Sequence, residues 1–349
     1  MLVLGIESSC DETALALVRD GVDVVGSLVA SQTAVHAKFG GVVPEVAARE
    51  HLKVIAPMFR ELMRTTSARS QDIDLVAVTQ GPGLIGAILV GVAYAKGVAL
   101  ALHRPLIPVD HVHAHVHGAL LGISGAEQPQ FPTLALVVSG GHTNLYYMQS
   151  PTHFQLLACS IDDACGECFD KVAKLLGLGY PGGPRIEALA QQGRVDAVTM
   201  PRMVSQKSRL EFSYSGLKTF VANHLRQVGQ VTEQDRADLC ASFQAEALGQ
   251  IVRKVQEAVR LFPEARSVLV AGGVAANQTF RRMMADQISL PSFFPKLDYC
   301  SDNAAMIAAY GFHIYQNQPE DRAAWLRHNW DAYSRYDFAK ALNATSSAT

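Results

Sequence analysis

The sequence carries almost no net charge: 30 Lys and Arg against 32 Asp and Glu give −2 at neutral pH. That balance neither calls for nor excludes a nucleic-acid partner, because a basic patch can sit inside a neutral total. Charged residues are few, 18% against 49% hydrophobic, which excludes wholesale disorder and allows a sizeable core. Cysteine is sparse, and residues 10, 159, 165, 168, 240 and 300 do not make a disulfide framework. The opening residues have no basic segment and meet Glu7 after a short apolar run, so they do not read as a signal peptide. No uninterrupted apolar run approaches the roughly 18 residues of a membrane span. The least polar stretch, Leu84 to Leu102, contains Lys96 and lies among Gly81, Gly86 and Gly91, and it reads as a buried helix. These absences predict a reduced, cytoplasmic protein with no membrane segment. Its 349 residues suffice for two domains at roughly 150 each.

Several catalytic signatures are missing too. There is no G-x-x-x-x-G-K-[ST], so phosphate binding of the P-loop type is excluded. His111 to His115 carries Val112 where the general-base glutamate of an H-E-x-x-H protease would stand. No G-x-S-x-G nucleophile elbow occurs. A literal G-x-G-x-x-G at Gly177, Gly179 and Gly182 follows a predicted helix rather than a strand and contains Pro181, which argues against a dinucleotide fold.

What is present centres on Ile107 to Gly118, IPVDHVHAHVHG, which holds His111, His113, His115 and His117. A helix can start here with Asp110 as its N-cap. His111 and His115 then share one face, and His113 and His117 share the opposite one. Two imidazoles four apart can bind one divalent metal. A polar, solvated helix with some histidine-to-backbone hydrogen bonds is the commoner account of such spacing. The window itself offers no third ligand beyond Asp110, and the spacing leaves both histidine pairs open.

Along the chain, Leu2 to Ile6, Ala14 to Val18 and Val22 to Val29 read as strands around a polar turn, Glu7 to Thr13, and an Asp20-Gly21 hairpin. The same strand–turn–strand–strand order recurs at Leu134 to Val138, Ser139 to Thr143, Asn144 to Met148 and Phe154 to Ser160. A two-lobed protein would set the two turns facing each other across a cleft. Three junctions, Ser8 to Thr13, Ser139 to Thr143 and Gly272 to Asn277, could offer backbone N–H groups to a phosphate. Cys165-Gly-Glu-Cys168 is a lone C-x-x-C, best read as two small residues packing a helix start. A final core helix is predicted from Asn303 to Tyr315, capped by Ser301 or Asp302.

Taken together, the motifs resemble one family. They are LGIESSCDET (4–13), HAKFGGVVPE (36–45), GPGLIG (81–86), VSGGHT (138–143), SIDD (160–163), FDK (169–171), YPGGP (180–184), FSYSGLKT (212–219), AGGVAAN (271–277) and SDN (301–303). In order and spacing, over roughly residues 2–330, they are similar to the TsaD family of tRNA threonylcarbamoyladenosine transferases. The resemblance implies an α/β, two-lobed actin/Hsp70/sugar-kinase-like (ASKHA) fold with duplicated ribonuclease H-like lobes. Residues 1–127 plus 302–330 would form the lobe with the metal ligands, and 128–301 the lobe with the nucleotide-side motifs. Residues 331–349 would be a tail with a disordered end.

The resemblance also implies transfer of the threonylcarbamoyl group from threonylcarbamoyl-AMP to N6 of adenosine 37 in tRNAs reading ANN codons, giving t6A and AMP. Its metal ligands map onto His111, His115 and Asp302, with Fe2+ the family's usual ion and Zn2+ compatible. Its substrate contacts map onto Val137, Val138, Ser139, Gly140, Gly141, Asp170, Gly183, Glu187 and Asn277. Asp11 is the expected proton acceptor, with Glu12 second. A TsaB-like paralogue and a TsaE-like ATPase are the implied partners, beside tRNA, and a TsaC-like synthase would supply the substrate. Cys165 and Cys168 depart from the family's small residues, and Glu187 is Asp in many relatives. Two alternatives are an ATP-dependent kinase or ATPase of the same fold and a degenerate, non-catalytic paralogue. The presence of His111, His115 and Asp302 together argues against the latter.

Overall fold

The computed structural model describes residues 1–39, 41–123, 125–203 and 210–335. The first strand, β1 (Leu2–Glu7), is buried along its whole length, as a near-continuous apolar run at the centre of a sheet should be. Strands β2 (Glu12–Arg19) and β3 (Asp23–Ser31) form a hairpin. Asp20 and Gly21 at its tip have φ of 52° and 74°, the left-handed pair that a type I′ turn requires. Then come α1 (Thr33–His36), α2 (Pro44–Thr66), β4 (Leu75–Gly81), α3 (Ile85–Leu102), β5 (Leu106–Asp110) and α4 (His111–Gly118). Next are β6 (Thr133–Val138), β7 (Thr143–Ser150), β8 (His153–Cys159), α5 (Cys165–Leu175), α6 (Gly182–Ala190), α7 (Ser215–Val228) and α8 (Glu233–Leu261). The described chain ends through β9 (Val268–Ala271), α9 (Gln278–Gln287), β10 (Ser292–Phe293), α10 (Ala304–Asn317) and α11 (Arg322–Trp325).

These elements divide into two compact units. One holds Met1–Gln128, Pro151–Gln155 and the described residues from Asp302; the other holds Pro129–Ser150 and Leu156–Ser301. The sheets share a plan. The first runs β3-β2-β1-β4-β5 and the second β8-β7-β6-β9-β10. In each, the first strand pairs antiparallel with the second and parallel with the fourth. The strand–turn–strand–strand recurrence in the sequence is thus a recurrence of topology.

In the first unit, α10 lies against β1, β2 and β4. Small residues set that distance. A Cβ on Gly5 would come within 2.1 Å of the Ala304 carbonyl oxygen, and one on Gly311 within 2.4 Å of the Ala77 Cβ. The cap of α10 differs from expectation. Asn303, not Ser301 or Asp302, accepts the Met306 N–H. Its amide oxygen satisfies the helix start, and the Asp302 carboxylate is left to face elsewhere.

Helix α3 is long and apolar enough to cross a membrane by length and composition. Its Ala87, Ile88, Gly91, Val92, Ala95 and Ala99 are buried, and it packs on α2 and β4. The glycine-rich segment after α5 gives way to α6 at Gly182. Past α11 the chain turns back to β4. The Tyr333 N–H donates to the Gln80 carbonyl (3.1 Å), and the Gly83 N–H to the Ser334 carbonyl (3.2 Å). The end of the tail, residues 341–349, expected to be disordered, lies outside the described residues. All six cysteines are free.

Candidate metal centre

The first candidate site grows from the end of β5. Asp110 closes that strand, and its Oδ1 accepts the His113 N–H at 2.9 Å, which starts α4. On α4, the His111 and His115 rings meet edge to face, centroids 4.7 Å apart. Asp302, just ahead of α10, completes the group. Its Oδ1 is 3.6 Å from His111 Nε2 and 3.3 Å from His115 Nε2. One ligand atom from each residue lies within 4.8 Å of the others. Glu7, the last residue of β1, takes the other side of His111: its Oε2 is 3.0 Å from Nδ1. Glu7 itself accepts from the Ser9 N–H and the Thr79 hydroxyl. It therefore holds the ring so that Nε2 turns toward Asp302, the carboxylate–histidine arrangement that supports many metal sites.

The residues fit a divalent ion on three grounds. His115 is 2% exposed, yet neither of its ring nitrogens has a hydrogen-bond partner among the described residues, although Nε2 faces the Asp302 carboxylate at 3.3 Å. Buried polar atoms seldom stay unpaired. The donor set, two imidazoles and one carboxylate on one side, is that of non-haem iron sites and is also accepted by zinc. The surrounding charge has the right sign. Burial opposes a charge on His111, but Glu7 and Asp302 outweigh it and push its pKa up to about 9. Glu12 is pushed up to about 8 by burial, then by Asp11 and Asp302. Asp11 is buried in the same turn as Ser9, whose hydroxyl is 3.3 Å from His111 Nδ1.

The second histidine pair is a packing face. His113 stacks on Phe154 at 4.1 Å and His117 on Tyr310 at 4.4 Å. His117 is fully buried, so the reading of α4 as a polar, solvated helix does not hold. Glu7 is the residue of the candidate site that sequence reasoning passed over. The available signal was a carboxylate placed directly after an apolar central strand.

The nucleotide-side candidates all lie in the second unit and share one neighbourhood. Val137 and Val138 end β6, buried, and lead into the Ser139-Gly140-Gly141 turn. The Ser139 N–H is committed to the His142 carbonyl at 2.8 Å, which leaves the amides of Gly140 and Gly141 without partners among the described residues. A Cβ on Gly272 would meet the Val138 carbonyl oxygen at 2.4 Å, and one on Gly166 the Ser139 carbonyl oxygen at 2.6 Å. Those close approaches draw the three glycine-bearing segments together. Asp170 Oδ1 accepts the Gly182 N–H at 2.7 Å, beside Gly183. Glu187 Oε1 accepts the Gln278 N–H at 2.6 Å. Asn277 caps α9 through the Phe280 N–H and donates to Gln244 Oε1, so both ends of its amide are engaged. Cys165 and Cys168 are buried, and burial raises both thiols, which favours packing over thiolate chemistry.

Known proteins resemble this chain in both sequence and fold. The family model described as TsaD, tRNA N6-adenosine threonylcarbamoyltransferase, matches residues 23–309. The chain is 50% identical over 319 residues to the protein of that name from Moorella thermoacetica, covering 90% of this chain and 92% of the relative. It is 44% identical over 333 residues to that of Symbiobacterium thermophilum, covering 95% and 94%. Among solved structures, full-length HypF in its phosphate- and nucleotide-bound form aligns with a TM-score of 0.56 at 12% identity, covering 93% of this chain and 47% of that one. Component A of the (R)-2-hydroxyglutaryl-CoA dehydratase of Acidaminococcus fermentans aligns at 0.52 and 14% identity, covering 90% and 99%. These two likenesses bear on fold alone. With the duplicated strand order, they make this an α/β fold of the actin/Hsp70/sugar-kinase class.

Proposed function

The chain belongs to the TsaD family of tRNA N6-adenosine threonylcarbamoyltransferases, and from that premise we propose that it moves the threonylcarbamoyl group from threonylcarbamoyl-AMP to N6 of adenosine 37 in tRNAs reading ANN codons, releasing AMP. The observation that carries the reading is the meeting of His111, His115 and Asp302, with both His115 ring nitrogens buried and without a hydrogen bond among the described residues. His111, His115 and Asp302 would hold the ion, Fe2+ first and Zn2+ second. That ion, when bound, supplies Lewis-acid polarisation of the carbamoyl carbonyl.

The chain's own groups do the rest. Glu7 keeps the proton of His111 on Nδ1, so that Nε2 presents its lone pair. Adenosine N6 is a weak nucleophile and must be oriented and relieved of a proton as it attacks. Asp11 is the acceptor in this reading, with Glu12 second. Residues 1–127 with 302–330 serve as the metal lobe, and residues 128–301 take the AMP side. There, Val137, Val138 and Ser139 shape the turn, and the amides of Gly140 and Gly141 hold the phosphate. Asp170 and Glu187 would face the ribose, Gly183 lies beside Asp170, and Asn277 would flank the base. A TsaB-like subunit and a TsaE-like ATPase would support turnover, a TsaC-like synthase would supply the adenylate, and the cytoplasm, where tRNA is modified, would be the place of action.

The test is to incubate the full chain with a TsaC-like synthase, the two partner proteins, threonine, bicarbonate, ATP and tRNA, then digest the tRNA and look for modified adenosine. None formed would sink the proposal. His111→Ala with His115→Ala should abolish transfer and leave the circular dichroism spectrum unchanged. Full transfer by that double variant, free of metal, would remove the metal from the mechanism.

A further inference from the structure

The segment after α11 lies beyond the residues that the family model matches, yet it reaches the candidate metal helix. The Tyr333 hydroxyl is 2.6 Å from Asp110 Oδ2 and 3.2 Å from the Gly81 carbonyl oxygen. With one proton to donate, it favours the carboxylate, a charged and nearer acceptor. Asp110 is thereby held from two sides: Oδ1 takes the His113 N–H at the start of α4, and Oδ2 takes Tyr333. The segment is fixed along its length. The Gln80 side-chain amide donates to the Asp331 carbonyl at 2.6 Å, and Lys96 Nζ donates to the Trp330 carbonyl at 2.8 Å while lying 4.9 Å from the centre of the Trp330 ring. The sequence has left room for it. A Cβ on Gly81 would fall 2.3 Å from the Tyr333 carbonyl oxygen and 2.7 and 2.8 Å from two atoms of its ring.

We infer that Tyr333 is a positioning residue for the metal centre. By fixing Asp110 it fixes the first turn of α4, and with it the direction in which His111 and His115 point. The inference rests on the metal reading given above. It adds that the C-terminal segment, docked on β4 and α3, is part of the machinery that sets metal affinity.

The experiment compares the full-length wild type, Tyr333→Phe, Asp110→Ser and the double variant, titrated with Co2+ against a chromophoric chelator well below their Tm. Asp110→Ser keeps an oxygen to cap α4 and loses the acceptor for Tyr333. Tyr333→Phe should weaken Co2+ binding about three- to tenfold, less than the 10–100-fold typical of a group touching a ligating histidine directly. On the Asp110→Ser background the same change should have no further effect. A purely structural tyrosine would lower Tm and leave the Co2+ Kd where it was. Co2+ binding by Tyr333→Phe equal to wild type, or an equal loss on both backgrounds, would overturn the inference alone. A wild-type chain that binds no Co2+ would instead overturn the metal reading itself.

Discussion

Glu7 and Asn303 show how single residues make this site without being candidate ligands. Glu7 is fully buried, and burial would raise its pKa, yet His111 beside it holds the carboxylate below its ordinary value. A carboxylate in that position costs stability unless its partners stay in place. Glu7→Gln should therefore lower Co2+ affinity by about 10–100-fold, as loss of a ligand's supporting partner does elsewhere. Chelator competition measures it, and an unchanged Kd would deny Glu7 that part. Asn303 frees Asp302 by capping α10 in its stead. Asn303→Ala should cost about 1 kcal/mol of stability, read by urea unfolding. Neither residue was legible as functional in the sequence. Partnership with a histidine on a distant helix, or the choice among adjacent capping residues, is settled by packing and not by local pattern.

Helices α4 and α10 meet through opposite kinds of chemistry at their two ends. Near the site they bring His111 and His115 to Asp302; further along they bury His117 and His313, whose rings lie 5.2 Å apart. Burial holds His313 down to about 4 and takes His117 well below its ordinary 6.5. In the unfolded chain both take up protons below pH 6.5, which the folded chain resists. Their contribution is thus complete above pH 6.5 and is lost as pH falls toward 4. His313→Leu should flatten the pH dependence of unfolding in that window by one proton's worth, about 1.4 kcal/mol per pH unit. An identical slope in wild type and variant would show that His313 does not titrate this way. At this scale much was legible. The type I′ turn at Asp20-Gly21, the Asp110 cap and the repeated strand order all rest on local chemistry and periodicity. The two histidine pairs on α4 were indistinguishable by spacing. What separates them is the neighbour each meets, Asp302 and Glu7 on one side, Phe154 and Tyr310 on the other.

The whole molecule is two units on one plan, but only the second is nearly continuous in sequence. The first needs α10, which covers β1, β2 and β4 and is seated by the absence of a Cβ at Gly5. Removing the chain after Ser301 should leave the second unit's cooperative unfolding transition in place and abolish that of the first. Urea unfolding of the truncated protein, followed by hydrogen exchange on β1 and β7, tests this directly. Protection retained on β1 would mean that the first sheet stands without α10.

The same arrangement dictates an order of birth. A ribosome delivers His111 and His115 early, then the whole of the second unit, and only afterwards Asp302 and Tyr333. Domains generally fold as they emerge, N-terminal parts first. Until the last core helix arrives, the nascent chain holds two histidines and an apolar sheet face with no helix to cover it. In the proposed reading, a nascent chain therefore carries an incomplete ligand set from the emergence of His115 until Asp302 follows.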